Sequence, residues 1–113
     1  IEDAAHAVGS TYNRKKIGNH NTAVCFSFHP VKNLAMPTGG LISINHKNHQ
    51  KNRKLLSARR WCGITDRRDT DYDVCELGWN YYMNEFSAAI GLEQLKKLEK
   101  GNKIRKHRYA NNV

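Results

Sequence analysis

The sequence lacks several features that would place it in a common class of protein. No stretch is long and apolar enough to span a bilayer, and no basic segment followed by an apolar one resembles a secretory leader. The cysteines, Cys25, Cys62 and Cys75, are odd in number and far apart, which fits neither a disulfide framework nor a zinc site. His46 and His49 have no third ligand nearby. We therefore expect reduced thiols, no metal and a cytoplasmic setting.

Acidic residues are scarce relative to basic ones. There are 19 Lys and Arg against 10 Asp and Glu, which gives a formal net charge of +9. This excess leaves open a basic regulatory or nucleic-acid-binding module, whose binding would weaken steeply with salt because it rests on phosphate contacts. The basic residues are spread over several segments, and no aromatic residues interleave with the densest run as a stacking surface requires. A solvated helix face is the favoured interpretation.

The first half of the chain indicates an α/β protein with one core. The chain has 113 residues, and 39% of them are hydrophobic, which is enough for a single small core. The opening run IEDAAHAVG indicates the end of a buried strand and a cut inside a larger protein. Residues 23–28, AVCFSF, and residues 41–45, LISIN, are short β-rich runs, and Cys25 is expected to be buried. These two predicted strands flank the loop HPVKNLAMPT.

Two helices are predicted in the second half of the chain. Residues 46–61 are rich in helix-forming Lys, Gln, Arg and Leu, and Gly63 ends this first helix. Residues 64–77 show no hydrophobic periodicity and are expected to form a loop. Asn84 is expected to cap a long helix over about residues 84–110, with Gly101 and Asn102 as a candidate break.

Three polar residues near the predicted strand ends could hold a cofactor. Lys32 lies in a loop after a buried strand, where an amine can be partly desolvated and form a Schiff base. Ser27 offers a hydroxyl for a phosphate, and Asp3 offers a fixed negative charge. Such groups beyond the carboxyl ends of strands meet the needs of pyridoxal phosphate. Each residue type is also common on protein surfaces, and spacing alone does not separate the two interpretations.

Four segments, in order, resemble one known family. IEDAAHAVGSTY, FSFHPVKNL, GGLISIN and LGWNYYMNEFSAAIGLEQLKKLE cover most of residues 1–100. They are similar to the DegT-type family of pyridoxal-phosphate-dependent nucleotide-sugar aminotransferases, which have fold type I. The resemblance implies that residues 1–113 are an internal fragment of the large cofactor-binding domain, with short strands followed by the long helix. That helix is then expected to lead toward a small domain that the chain lacks, leaving Leu95, Leu98 and Ile104 partly uncovered.

The resemblance also implies a role for each site residue. Lys32 matches the lysine that holds pyridoxal 5'-phosphate as a Schiff base and moves the substrate proton. Asp3 matches the carboxylate that pairs with the protonated pyridine nitrogen, and Ser27 matches a serine that contacts the phosphate. His6 is expected beside the ring or its phenolate oxygen, with a packing histidine as the alternative. Asn80 in GWN resembles an asparagine that reaches the phosphate of the neighbouring subunit in a homodimer.

The function that the resemblance implies is transamination. An amino donor, glutamate in this family, would load the cofactor for amination of a keto group on a nucleotide-linked sugar, feeding polysaccharide or glycoconjugate synthesis. Lys32 argues against related dehydrating enzymes, which carry histidine in its place. Two residues depart from the family pattern: Thr38 replaces an acidic residue before the paired glycines, and Tyr82 replaces an arginine after GWNY. An inactive fragment remains as an alternative.

Overall fold

The computed structural model of the protein describes residues 1–20 and 23–111, and residues 21–22 and 112–113 lie outside the described residues. The chain divides into two units, Ile1–Asn45 with Met83–Val113 and His46–Tyr82. The secondary structure in chain order is β1 (Glu2–Asp3), β2 (Thr11–Tyr12), β3 (Lys15–Lys16), β4 (Ala23–Ser27), β5 (Gly40–Ile44), α1 (His49–Arg60), β6 (Ile64–Arg68), β7 (Asp71–Val74) and α2 (Glu85–Ala110).

A three-stranded mixed sheet in the order β1-β4-β5 forms the base of the first unit. β1 runs parallel to β4, and β4 pairs antiparallel with β5. The two strands predicted at residues 23–28 and 41–45 are therefore confirmed to within one residue at each end. Val24 is fully buried, but Cys25 is only half-buried, contrary to expectation. Successive side chains of a strand point to opposite faces, and the face that carries Cys25 is only partly covered.

In the sequence between β1 and β4, the strands β2 and β3 form a small separate hairpin. This hairpin was not predicted. Its two-residue turn consists of Asn13 and Arg14, which have φ angles of 47° and 62°. Two consecutive positive φ angles are typical of the tight turns whose twist matches that of a hairpin. Both strands are two residues long and fully exposed, so no alternation of apolar and polar residues signals them in the sequence.

The long helix α2 begins at the predicted cap. The Asn84 side chain accepts a hydrogen bond from the Ser87 backbone N–H at 2.8 Å, which satisfies one of the free donors of the first turn. The helix then continues without interruption to Ala110, so the candidate break at Gly101 and Asn102 is wrong. Among the helices of residues 1–20 and 23–111, none is both long and apolar enough to cross a membrane.

The buried face of α2 is a stripe of small residues and one leucine. Ser87, Gly91 and Leu98 are its buried residues. The Met36 side chain packs so closely on Gly91 that a Cβ atom there would lie 2.7 Å from the Met36 sulfur. Leu98 is 8% exposed, so its expected partial exposure is wrong, whereas the expected exposure of Leu95 and Ile104 is confirmed at 52% and 46%.

The core of the first unit packs the helix against the segment that follows β4. Its buried members are Phe28, Leu34, Met36 and Leu98, and partly buried side chains of Val8, Phe26 and Met83 pack against them. Two backbone hydrogen bonds close this segment, from Met36 to the Phe28 carbonyl at 2.8 Å and from Phe28 to the Gly39 carbonyl at 2.9 Å. The intervening loop is thus anchored at both ends in the core.

The second unit contains α1 and a hairpin. α1 begins three residues later than predicted, and the Asn48 side chain makes no capping hydrogen bond. At the other end, the backbone N–H groups of Trp61 and Gly63 both donate to the Ala58 carbonyl, at 3.0 and 2.8 Å. Gly63 has a φ angle of +81°, which favours glycine, and it follows the helix as predicted.

The prediction of a loop at residues 64–77 is wrong, because β6 and β7 form an antiparallel hairpin there. The pairing joins Ile64 with Val74 and Arg68 with Asp71, with a register shift between Ile64 and Arg67. All residues of these strands are exposed except the half-buried Ile64. The hairpin therefore has no buried face, since the apolar Tyr72 and Val74 of β7 are 55% and 63% exposed.

Candidate functional site

The carboxyl ends of β1 and β4 lie at the same edge of the sheet, because the two strands are parallel. Asp3 ends β1 and is paired with Cys25, and Ser27 ends β4 two residues further on. The Ala4 backbone N–H donates to the Cys25 carbonyl at 2.9 Å and extends this pairing past the end of β1. Open α/β sheets bind ligands beyond the carboxyl ends of their parallel strands.

Lys32 lies in the loop that the core holds at Phe28 and Met36. The first half of this loop is a turn, in which the Lys32 backbone N–H donates to the His29 carbonyl at 2.8 Å. The side chain of Leu34 is buried just after the lysine, and Lys32 itself is half-buried. The amine is thus carried on a short loop whose ends cannot move independently of the core.

The amine of Lys32 contacts the imidazole ring of His6. Lys32 Nζ lies 2.6 Å from His6 Nε2, across 26 residues of sequence. The donor in this hydrogen bond is set by the protonation of the amine and of the ring, because an ammonium group only donates whereas each imidazole nitrogen can donate or accept. The Asn33 side-chain amide donates to the His6 carbonyl at 3.3 Å and ties the same two loops together. The structure thus brings Lys32 and His6 together.

Asp3 and Ser27 each retain unused hydrogen-bonding capacity. Asp3 Oδ1 accepts from the Ala5 backbone N–H at 2.9 Å, and the carboxylate is exposed. The Ser27 hydroxyl oxygen accepts from the His29 backbone N–H at 3.3 Å. Within residues 1–20 and 23–111, Asp3 Oδ2 and the Ser27 hydroxyl proton make no hydrogen bond, so both can face a ligand.

Two residues of α2 that sequence analysis missed hold the site loops from the helix. Asn102 donates its side-chain amide to the Val8 carbonyl at 3.2 Å, and Arg105 donates Nη2 to the Asn33 carbonyl at 3.0 Å. Arg105 Nη1 also donates to Asn102 Oδ1 at 3.1 Å. These contacts span up to 94 residues of sequence, and no local motif signals them.

A salt bridge joins α2 to the small hairpin of the same unit. Lys16 Nζ lies 2.8 Å from Glu99 Oε1 and also donates to the Gly9 carbonyl at 3.1 Å. The hydrogen bond from Lys16, helped by its positive charge, lowers the pKa of the Glu99 carboxyl below its ordinary value. Both side chains are more than half exposed, so this bridge contributes little to stability.

Met36, four residues after Lys32, packs against the long helix. Its side chain is 5% exposed and fills the space above Gly91 of α2. Gly39 has a φ angle of +140°, and a Cβ atom there would lie 2.8 Å from Met83 Cε. The segment after Lys32 is therefore shaped by close packing, and the exposed Thr38 beside it makes no hydrogen bond within residues 1–20 and 23–111.

Asn80 belongs to the second unit, where it forms an isolated antiparallel bridge with Trp61. The Tyr82 ring packs on Trp61 with a centroid distance of 4.5 Å, and the Arg60 guanidinium lies 6.0 Å from the Tyr82 centroid. Tyr82, which departs from the family pattern, is thus part of an aromatic contact within this unit. The role of Asn80 stays a prediction.

No metal site is formed by the described part of the chain, in which no three His, Cys, Asp or Glu residues lie close enough to hold an ion. The ring of His49 contacts the His46 carbonyl at 3.2 Å, and the ring of His46 accepts from the Asn48 backbone N–H at 3.2 Å. Both histidines are therefore engaged with local backbone. The three cysteines are free thiols, as expected.

The chain is similar to known proteins over almost its whole length. The model of the DegT/DnrJ/EryC1/StrS aminotransferase family matches residues 1–111. A protein named UDP-4-amino-4,6-dideoxy-N-acetyl-beta-L-altrosamine transaminase, from Campylobacter jejuni subsp. jejuni serotype O:23/36, is 42% identical over 99 residues. That match covers 88% of this chain and 26% of the relative.

Solved structures show the same likeness. AtS13 from Actinomadura melliaura superimposes with a TM-score of 0.79 at 34% identity, covering 88% of this chain and 27% of that structure. The putative sugar aminotransferase Spr1654 from Streptococcus pneumoniae, in its PLP-form, gives a TM-score of 0.77 at 29% identity, covering 87% and 25%. The predicted fold, part of the large domain of a fold type I aminotransferase, is confirmed. The chain spans about a quarter of the length of these relatives.

Proposed function

Because the chain belongs to the DegT/DnrJ/EryC1/StrS aminotransferase family, we propose that it is the part of a sugar aminotransferase that binds pyridoxal 5'-phosphate through Lys32. Residues 1–113 are then one part of the large cofactor-binding domain, and about residues 84–110 lead toward a small domain. The full-length protein transfers an amino group to a keto group of a nucleotide-linked sugar.

The observation that carries this proposal is the cluster at the edge of the sheet in the first unit. A lysine amine is in contact with an imidazole, and a carboxylate and a hydroxyl follow the ends of two parallel strands. Within the described residues, a carboxylate oxygen of Asp3 and the hydroxyl proton of Ser27 make no hydrogen bond, so both groups are available to a ligand.

The residues present fit the cofactor by their chemistry. When bound, pyridoxal phosphate supplies an electron sink for the charge left on a carbon that loses its proton. Lys32 would hold it covalently, and its amine would move the proton at the reacting carbon. The Asp3 carboxylate holds the pyridine proton, the Ser27 hydroxyl donates to the phosphate, and His6 lies beside the ring or its phenolate oxygen.

The substrate class is proposed from the relatives. The Campylobacter jejuni relative carries the name of a UDP-sugar transaminase, which supports a nucleotide-linked sugar as the amino acceptor. Family resemblance supports glutamate as the amino donor and a polysaccharide or glycoconjugate as the destination of the product.

A homodimer with shared active sites is proposed from the GWN segment. Asn80 is exposed, so its amide is accessible to the cofactor phosphate of a second subunit. Arg60 and Trp61 hold the neighbouring Tyr82 ring, which supports an ordered aromatic surface beside Asn80. A sedimentation mass of a single chain for the full-length protein would exclude this arrangement.

Borohydride reduction tests the assignment of Lys32. The full-length protein is incubated with pyridoxal phosphate, reduced, digested and mapped by mass spectrometry, and we expect the label on Lys32. Lys32→Ala should lose the label, whereas Lys15→Ala, which removes an exposed lysine of the same unit, should keep it. A label on another lysine in the wild type, with Lys32 unmodified, would show that the assignment is wrong.

A further inference from the structure

The contact between Lys32 and His6 points to a second task for the histidine. We propose that His6 is the base that takes the proton from the Lys32 ammonium group, so that Lys32 can bond to the cofactor. This inference rests on the proposed function, because it takes Lys32 as the bonding residue. It concerns how the cofactor is captured, before any substrate is bound.

The geometry places the acceptor where the proton must go. Lys32 Nζ lies 2.6 Å from His6 Nε2, so a proton can move between them without rearrangement of either loop. The His6 residue is exposed, and its Nδ1 makes no hydrogen bond within residues 1–20 and 23–111. Histidine is the side chain that both accepts and releases a proton near neutral pH. The ring can therefore exchange its proton with water.

Both partners are held in this contact by the surrounding backbone. The Asn33 amide donates to the His6 carbonyl at 3.3 Å, and Arg105 from α2 donates to the Asn33 carbonyl at 3.0 Å. The Lys32 backbone N–H donates to the His29 carbonyl at 2.8 Å. A contact that the fold supports on both sides is available each time the cofactor enters.

The charged and titratable groups on the elements around His6 are few. Lys32 and His29 come from the loop after β4, Asp3 precedes His6 on its own turn, and Arg105 reaches the Lys32 loop from the helix. A ring that is already protonated would repel the ammonium and could not accept.

The covalent step balances in atoms and charge. One proton of the Lys32 ammonium passes to His6 Nε2, and the freed electron pair on Nζ bonds to the aldehyde carbon of the cofactor. The aldehyde oxygen takes a second proton from Nζ and the proton held by His6, and it leaves as water. One proton stays on Nζ, His6 is unprotonated again, and no oxidant or reductant is required.

The rate of cofactor capture tests this step without measuring turnover. Full-length protein stripped of cofactor is mixed rapidly with pyridoxal phosphate over a range of pH, and the absorbance change is followed. We expect the wild-type rate to fall as the pH is lowered, because a protonated imidazole cannot take the ammonium proton. In His6→Gln the amide oxygen can accept from Lys32 but takes no proton, so we expect capture about 100-fold slower at neutral pH.

Two controls separate a proton acceptor from a merely structural residue. His107→Gln, near the exposed end of α2, should keep the wild-type rate and pH profile. His6→Ala should regain rate in proportion to added imidazole, which replaces the lost proton acceptor. If His6→Gln has the wild-type rate and profile, or if imidazole restores nothing, the inference is wrong and the proposed function stands. If the wild type captures pyridoxal phosphate elsewhere than at Lys32, both are overturned.

Discussion

Asp3 has a fixed position, and its Oδ2 atom makes no hydrogen bond within the described residues. Its Oδ1 accepts from the Ala5 backbone N–H at 2.9 Å, a local contact that orients the carboxylate just after β1. The neighbouring strand β4 also fixes the turn that follows β1, because the Ala4 N–H donates to the Cys25 carbonyl. The side chain is exposed, so its charge can act on a ligand without a large desolvation cost.

Substitution of Asp3 by asparagine separates its charge from its shape. In Asp3→Asn the amide oxygen can still accept from Ala5, so we expect the turn to form and the cofactor to bind. Because a neutral partner no longer holds the pyridine proton, we expect turnover to fall by about 100-fold or more. The measurement is steady-state transamination of a UDP-linked keto sugar with glutamate, beside a spectroscopic titration of the cofactor. Asp66→Asn, on the exposed hairpin, is the control, and unchanged turnover in Asp3→Asn would show that Asp3 has been misplaced.

At the scale of elements, α2 connects parts of the chain that are far apart in sequence. Leu98 packs in the core with Phe28 and Met36. About one and two turns later in the helix, Asn102 and Arg105 donate hydrogen bonds to the two site loops. The same helix therefore provides apolar packing beneath the Lys32 loop and hydrogen bonds at its margin. Residues three and four apart lie on one face of a helix, which is why a single stripe can do both.

Arg105 provides a test of the link between the helix and the site. In Arg105→Ala the Asn33 carbonyl loses its donor, which should loosen the contact between Lys32 and His6. A hydrogen bond of this kind contributes about 1 kcal/mol, so we expect cofactor affinity to fall by about fivefold. Lys106→Ala is the control. It removes the charge of a neighbouring exposed lysine whose side chain makes no hydrogen bond or salt bridge within the described residues, and it should change cofactor affinity much less. Equal affinities for the two variants would mean that the helix does not position the site through Arg105.

Across the whole molecule, large apolar side chains remain exposed on the first unit. Phe86 is 85% exposed and Leu95 is 52% exposed on α2, and Leu41 and Ile42 of β5 are about half exposed. Apolar groups in such number favour contact with other protein surface over contact with water. The chain also spans only about a quarter of the length of its relatives. We expect other protein surface to pack on these residues.

We predict that the isolated 113-residue chain neither holds pyridoxal phosphate tightly nor aminates a keto sugar. Its exposed apolar residues should drive association or partial unfolding, and only a weak bond to Lys32 should form. Size-exclusion chromatography, an absorbance spectrum with the cofactor and an activity assay on the purified chain measure the three properties. A monomer with a stable cofactor band and measurable transamination would show that the chain is a complete functional domain.

Much of the fold and the candidate site could be predicted because the signals are local. The apolar run of β4, the cap at Asn84 and the glycine after α1 each depend on neighbouring residues, and each was found within a few positions. The hairpin of β6 and β7 was missed because its strands carry no buried face. The burial of Ser87 and Gly91 was missed for the opposite reason, since small residues bury a helix without an apolar period.

The sequence by itself determined the family, the strands β4 and β5, the two helices, and the residue types at the site, because motifs and hydrophobic runs are properties of adjacent residues. Only the tertiary structure decided that Lys32 meets His6 and that Arg105 supports the Lys32 loop, across 26 and 72 residues. Such contacts depend on how β1, β4 and α2 pack together. Hydrogen bonds between distant loops require an arrangement of the backbone that no local pattern encodes.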